Sequence, residues 1–523
     1  MQKKSPEIIK DGHSHLSLYR PSSLTMLTDL YQLTMAYGYW HSGTHDKEAV
    51  FYMSFRHNPF RGGFAVACGL TYLIDYIRTF HFEQSDIEYL ASLTGEDHGP
   101  IFDKQFLEYL SKLEFSCDIH CVPEGTVVFA HEPIVRVSGP IIQCQLLETL
   151  LLNIMNFQTL IATKAARVAI AATDRPIIEF GLRRAQGTDG ALAASWAAYV
   201  GGCTATSNVL AGKIFGIPVK GTHAHSWVMS FSSELEAFGA YAEAMPNNCI
   251  FLVDTYDTLG GVKNAIEIGR KLKANGHKLG GVRLDSGDLA YLSIESRKLL
   301  DQSGFNDAVI VVSNDLDEHV MQSLNDQNAQ IDVWGVGTKL ATAYDQPALG
   351  GVYKLSAIRK PGEKWQPKIK LSEQAIKISN PGVLQTRRFI SKKTDGLYAG
   401  DMVFNEDNRP SGILQVIVDP MDFTRRKEFA ANAAFVDLLV PIFIGGKQVY
   451  SIPPASEIKQ GLRDQLAKFH PTIKRLLNPH EYPVGLEQGL HKLKTQLILE
   501  ARKAQSKRMD TETDTGQWST GQW

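Results

Sequence analysis

Six short segments between residues 176 and 345 carry residue types suited to holding an anionic sugar substrate. EFGLRRAQGTDG puts Glu179 at the end of an apolar run, follows it with Arg183 and Arg184, and opens a helix at residues 187–190. Adjacent arginines beside the free N–H groups of a helix start make a receptor for phosphate; a solvated surface pair looks the same in sequence. VKGTHAHSW carries His223 and His225. Two residues apart on a continuing strand, they point to opposite faces, which opposes a shared metal. A single histidine here serves as nucleophile or base, or as a satisfied core residue. IFLVDTYDTLGG leaves Asp254 at a strand end and Asp257 just beyond it. Asp254 is suited to orienting an imidazole, and Asp257 equally to capping the next helix.

GVRLDSGDLA gathers Arg283, Asp285, Ser286, Gly287 and Asp288. Its acids could bond ribose hydroxyls or hold Mg²⁺ through water, while Ser286 or Asp288 could cap a helix. Arg283 could stack on an aromatic ring or pair with a carboxylate. VVSNDLDE and VWGVGTKL add Ser313, Asn314 and Asp315, then Gly335, Gly337, Thr338 and Lys339. A Gly-x-Gly-Thr turn offers backbone N–H groups and a hydroxyl to a phosphate, and its weight lies in falling late in a barrel. Together the loops hold phosphate donors, ribose acceptors and one candidate reactive histidine. That combination favours a phosphorylated sugar over a plain aldolase or isomerase. An aldolase would need a Schiff-base lysine, for which only Lys220 and Lys339 stand close to a strand end.

The elements that must position these loops alternate. The runs PIIEF, VKGTHA, IFLVDT, GGVRLD, AVIVVSND and IDVWGVG read as strands. Several are followed by helical stretches such as TLGGVKNAIEIGRKLKANG and LAYLSIESRKLLDQSG. Such alternation predicts parallel βα units in a barrel or an open doubly wound sheet. Polar residues at nearly every strand's C-terminal end favour the barrel. Ahead of it, AVFYMSFR and GTVVFAHEPIVRVSG read as strands, and residues 144–172 as a long helix. That helix has an apolar face too broad for one packing stripe, which sets it between layers or subunits. After residue 350, GGVYKLSAI, KIKLSEQAIKIS and FISKKTDGLYAGDMVF read as antiparallel structure returning to the first domain. The expected organisation is a flexible arm (1–22), an α+β domain with connecting helix (23–172), a barrel-like catalytic domain (173–355), a β-rich return and extension (356–500) and a flexible tail (501–523).

A chain of 523 residues is expected to form two or three packed units. Its net charge of −2 provides no global basic field to recruit nucleic acid or a membrane surface. Six cysteines without a CxxC pair read as reduced, apolar packing groups, and Cys117 and Cys121 lack a second pair at zinc spacing. The N-terminus lacks the apolar core of a signal peptide. No apolar run is expected to approach the ~20 residues that span a bilayer, so the chain reads as soluble and cytoplasmic.

Over roughly residues 24–400, a series of motifs resembles the nicotinate phosphoribosyltransferase family in the family's own order. They are LTDLYQLTMAYGYW, FRHNPFRGGFAVACGL, QLLETLLLNIMNFQTLIATKAAR, EFGLRRAQG, TSNVLAGKIFGIPVKGTHAHSW, DTYDTL, GVRLDSGDL, VSNDLDE and VGTKLATAYDQPALGGVYKL. The resemblance implies a type II phosphoribosyltransferase fold, an irregular α/β barrel plus an α+β domain built from both chain ends. It also implies a homodimer with its active site at the interface. The implied reaction joins nicotinate to phosphoribosyl pyrophosphate, with ATP and Mg²⁺, and starts NAD synthesis from nicotinate. By position, His225 matches the histidine that ATP phosphorylates, and Tyr31, Thr222 and Arg283 match nicotinate-binding positions. Thr338 matches a phosphoribosyl pyrophosphate contact, with Gly337 beside it. Residue chemistry adds Arg183 for phosphate, Asp285 for ribose and Asp254 to orient His225. His223 falls at a variable position of its motif and is left out of catalysis. The metal's ligands stay unassigned. The rival expectations are a nicotinamide or quinolinate enzyme of the same fold, with the N-terminal motif disfavouring quinolinate, and a catalytically silent scaffold.

Overall fold

The computed structural model describes residues 23–391, 396–410, 414–430 and 432–514, with side chains to residue 504. The expected arm at 1–22 lies outside them. Of the expected tail, residues up to 514 continue the helix Gln488–Asp514 instead, and both TGQW repeats lie outside the described residues.

Six parallel strands make the catalytic sheet: β1 (Ile177–Glu179), β2 (Ala205–Thr206), β3 (Ile250–Leu252), β4 (Gly281–Leu284), β5 (Val309–Val312) and β6 (Val333–Val336). Their spatial order is β2-β1-β6-β5-β4-β3. First and last strands therefore pair, curling the sheet into a barrel. Short apolar runs such as IFL in β3 and VIVV in β5 suit it, since helices and barrel interior bury both faces. The expected VKGTHA strand reduces to a single parallel bridge between Val219 and Thr206. Between that segment and β3 the ring stays open. β2, two residues long inside a polar TATSN context, had no apolar run to announce it.

Carboxylates start the helices that follow β3 and β4. Asp257 caps Thr258–Ala274 by accepting the Gly260 N–H at 2.6 Å, and Asp288 caps Leu289–Gln302 through the Tyr291 N–H at 3.1 Å. Both acids therefore take the capping alternative, which satisfies otherwise orphaned N–H groups.

Both chain ends build the second sheet. Glu48–Ser54 pairs antiparallel with Val352–Arg359 on one side and Val135–Pro140 on the other; Asp118–Cys121 and then the late strand Val440–Ile444 extend it. The remaining segments depart from expectation. KIKLSEQAIKIS forms a 3₁₀ turn at Ala375–Lys377, and the hairpin Leu384–Ile390/Tyr398–Asn405 enters a separate six-stranded sheet.

Two helices matter for the site, α1 (Leu30–His41) and α2 (Glu148–Ala172). The continuous stretch Ile141–Ala172 is long and apolar enough to cross a bilayer, with mean hydropathy 1.2, so the expectation that no run approaches that length is corrected. Here it is a core helix packed on Gly187–Val200 and Glu318–Asp326 of the barrel domain and on Ala65–Val66 of the first. Its broad buried face includes Lys164 and Arg167, whose head groups both reach Glu318 at 2.7 Å. All three are almost fully buried, and Lys164 also pairs with Asp345.

A second buried charge cluster ties the first domain to the third sheet. Arg388 binds Asp401 through Nη2 at 2.6 Å, Tyr482 donates to the same carboxylate at 2.9 Å, and Phe129, Tyr398 and Phe469 surround the guanidinium. Glu132 is buried beside them; burial, and then the negative Asp401, hold its carboxyl well above the usual range. The folded chain thus keeps a proton that the unfolded chain releases near pH ~4.3. Stability from this group is fully present below that value and declines as pH rises toward the native one. The wild type should therefore lose stability relative to Glu132→Gln as pH rises. Urea midpoints of both proteins from about pH 5 to 8 check this, and parallel profiles would show that Glu132 carries no extra proton.

Candidate active site

The polar ends of β3, β4 and β5 converge at the open seam. Arg283, on β4, is the hub. Its Nε donates to Ser313 Oγ at 2.9 Å, Nη1 to Thr222 Oγ1 at 3.1 Å and Nη2 to Asp285 Oδ1 at 3.0 Å. Its guanidinium carbon lies 5.1 Å from the centre of the Phe180 ring. One planar fork thus reaches three separate loops, a geometry that a lysine ammonium on a flexible stem would not reproduce. Phe180 has room because residue 335 is glycine: a Cβ there would come within 2.7 Å of the Phe180 ring. The first glycine of the Gly-x-Gly-Thr turn therefore serves packing beneath Arg283.

His225 is the first residue of α3 (His225–Met229), so the strand expected to carry both histidines ends before it. Its Nδ1 lies 3.2 Å from Thr255 Oγ1, and its Nε2 lies 3.8 Å from Asp285 Oδ2. The first is a hydrogen bond; the second is an ion-pair distance, too long for one. The imidazole is oriented from Nδ1, and Nε2 is left open in a half-exposed position. Asp254, expected to orient His225, does not bond it. The turn after β4 folds onto Asp254 instead, and Asp254 Oδ2 accepts the Asp285 N–H at 3.1 Å and the Ser286 hydroxyl. The carboxylate facing the imidazole is Asp285, whose other oxygen also accepts from Ser313 Oγ. Thr255 was missed because a threonine after Asp254 carries no signal of its own.

His223 is the satisfied core histidine. It is 8% exposed, and burial brings it down to about 4. Gly337 and Thr338 open the short helix Thr338–Ala341 next to the Phe180–Gly181 turn. Arg183 follows that turn in the 3₁₀ segment Leu182–Arg184, exposed and without an ion pair among the described residues. Lys339 donates to Asp317 at 2.6 Å, and this bond raises its pKa. A charged lysine cannot form a Schiff base, which argues against the aldolase reading.

Tyr31 stands apart. It is 48% exposed on α1, where its neighbours Asp29 and Gln32 bond Thr149 and Glu148 at the start of α2. A second polar location was also missed. Arg56, Lys354, Lys377 and Lys494 line a cleft between the second and third sheets, beside a His131 that burial brings down to about 4, with no carboxylate in its lining. Lys494 donates to Asn380 at 2.8 Å, and burial brings it down to about 8. These residues lie far apart in sequence, so no local motif revealed them.

Family models match the chain in tandem: the nicotinate phosphoribosyltransferase (NAPRTase) N-terminal domain over residues 26–156, the NAPRTase family over 176–389 and the C-terminal domain over 385–494. A nicotinate phosphoribosyltransferase of Bacillus subtilis is 44% identical, the match covering 94% of this chain and 99% of the relative. One from Caenorhabditis elegans is 38% identical, with 91% and 93% covered. The crystal structure of human nicotinic acid phosphoribosyltransferase superposes with a TM-score of 0.79 at 32% identity, covering 90% of this chain and 99% of that one. A nicotinate-nucleotide pyrophosphorylase from Pyrococcus furiosus, 21% identical with a TM-score of 0.63, shares the fold. With near-complete coverage on both sides, this chain belongs to the nicotinate phosphoribosyltransferase family.

Proposed function

We propose that this chain transfers the phosphoribosyl group of phosphoribosyl pyrophosphate to nicotinate, giving nicotinate mononucleotide and pyrophosphate, the first step of NAD synthesis from nicotinate. We further propose that it couples the transfer to ATP through phosphorylation of His225. The observation that carries the reading is the continuous bonded set Thr222–Arg283–Asp285 with His225 facing it.

Arg283 has N–H groups beyond the three already bonded, and these receive the nicotinate carboxylate. Nicotinamide lacks that charge, so the pairing discriminates by roughly 1.5–3 kcal/mol, the range of a hydrogen bond to a charged group. Gly337, Thr338 and Arg183 offer N–H, hydroxyl and guanidinium donors to the phosphates. At the ribose carbon the transition state has oxocarbenium character, so positioning and charge stabilisation do most of the catalysis. For phosphorylation, the Nδ1–H of His225 donates to Thr255 Oγ1, the tautomer that leaves the Nε2 lone pair free. Nε2 forms the P–N bond as the bond from the γ-phosphorus to the ADP oxygen breaks. Hydrolysis of this phosphohistidine then releases phosphate and drives the cycle.

Mg²⁺ is expected to arrive with the phosphates and offset their charge. No cluster of three or more metal-ligating side chains exists among the described residues. Asp254 Oδ1, however, is buried without a hydrogen-bond partner, and Asp285 Oδ2 lies 3.8 Å from His225 Nε2. Both could hold a hydrated magnesium–phosphate complex through water.

Tyr31 lies beside Glu148 and Thr149 rather than beside Arg283. That separation supports a homodimer in which the partner's Tyr31 covers the pyridine ring. The acid-free basic cleft is suited to binding the diphosphate product or ATP phosphates.

Nucleotide formation should be fastest with nicotinate, at least about tenfold slower with nicotinamide, and stimulated by ATP. A preference for nicotinamide or quinolinate would overturn the substrate assignment, and rates indifferent to ATP the coupling. Terminally labelled ATP should leave an acid-labile, base-stable label that disappears in His225→Ala; label surviving there would remove His225 from its role. Tyr31→Ala and His225→Ala, each inactive alone, should regain about a quarter of wild-type activity when mixed and allowed to exchange subunits, because half the dimers then hold one intact site. No recovery would mean that each site is built within one chain.

A further inference from the structure

In the catalytic sheet, β3 has a hydrogen-bonded strand neighbour on one side only, β4. On its other side runs the irregular segment 220–224, whose last ladder-type contact is the Lys220 N–H to Thr206 at 3.0 Å. A closed barrel would place a strand carbonyl there to receive the outward-pointing N–H groups of β3. The Leu252 N–H points into this gap and is buried, so an unmet bond would carry the full desolvation penalty.

A side chain meets it. His223 Nε2 accepts the Leu252 N–H at 3.2 Å. The ring is wedged among Phe238, Tyr241 and Phe251, with centroid separations of 5.8, 5.0 and 6.2 Å. A neutral imidazole has one acceptor nitrogen, so the proton sits on Nδ1, 3.5 Å from the Ala224 carbonyl oxygen. The two segments joined by this bond also carry the site. Thr222, bonded to Arg283, precedes His223 directly, and His225 follows two residues later. Thr255, bonded to His225, lies three residues beyond Leu252.

We infer that His223 is a positioning residue: its imidazole supplies the missing rung of the barrel and fixes the spacing between residues 222–225 and 252–255. His225 thereby stays against Thr255, and Thr222 against Arg283. The consequence for phosphorylation rests on the function proposed above; the consequence for the barrel does not.

Three substitutions separate the acceptor from the packing. His223→Gln carries an oxygen to the Nε2 position, His223→Asn reaches only the Nδ1 position, and His223→Phe keeps the ring without an acceptor. Amide exchange of peptides covering residues 220–225 and 250–256 should match wild type in the Gln variant. It should run roughly tenfold faster in the Asn and Phe variants, the scale of one lost buried hydrogen bond. The rate of His225 labelling from ATP should fall in the same order. Wild-type behaviour in both Asn and Phe overturns the inference, and so does a Gln variant as impaired as Phe. If the Phe variant fails to fold, the Gln–Asn comparison decides alone. If the wild type takes no label, the proposed phosphorylation fails and the exchange order still tests the rung.

Discussion

Arg283 holds three loops at one point. Its guanidinium is largely buried, and a buried charge is tolerated when it is paired and its donors are used. Asp285 supplies the counter-charge, Ser313 and Thr222 take further donors, and Phe180 supports the plane from one side. Each partner belongs to a different segment of the barrel mouth, so the arginine fixes the separation of the segments as well as its own orientation. Glycine at 335 belongs to this arrangement, because only its missing Cβ lets the Phe180 ring approach. The same fork that organises the loops is suited to a carboxylate substrate, which links the stability of the site to the specificity proposed for it.

The open seam gives the site its second constraint. A barrel closed by backbone pairing on every side would hold residues 219–224 in a regular strand, with alternating side chains facing in and out. The chain instead makes one bridge at Val219 and then leaves strand geometry, which frees His225 to begin a helix and face Asp285. The freedom is local. Side chains from both lips of the gap, His223 and Thr255, bond across it.

Buried charge also joins the domains. Lys164, Arg167 and Glu318 link the long core helix to the barrel, and Arg388 and Asp401 of the third sheet meet Glu132 and Phe129 of the first domain. Such clusters contribute less stability than apolar packing of equal volume, yet losing one member leaves an unpaired charge. They therefore define how the layers register.

Much of this was legible in the sequence because it is local. Short apolar-rich runs at β4, β5 and β6 form strands wherever both faces can be buried, and Asp257 and Asp288 cap helices through N–H groups three residues away. The polar strand ends, the reactive-histidine candidate and the family motifs are likewise properties of short segments. The tertiary structure decided everything that depends on which segments meet. Asp254 and Asp285 are both acids at strand ends; only the turn after β4 assigned the first to backbone N–H groups and the second to face His225. An apolar stretch long enough for a membrane became a core helix because elements of both domains pack on its apolar faces, with Lys164 and Arg167 paired to Glu318. His223, left out of catalysis on its sequence, gained its place from a gap between strands that no local pattern encodes. Hydrogen bonds and ion pairs act over a few ångströms in space, and for residues thirty or a hundred positions apart only the fold brings them within that range.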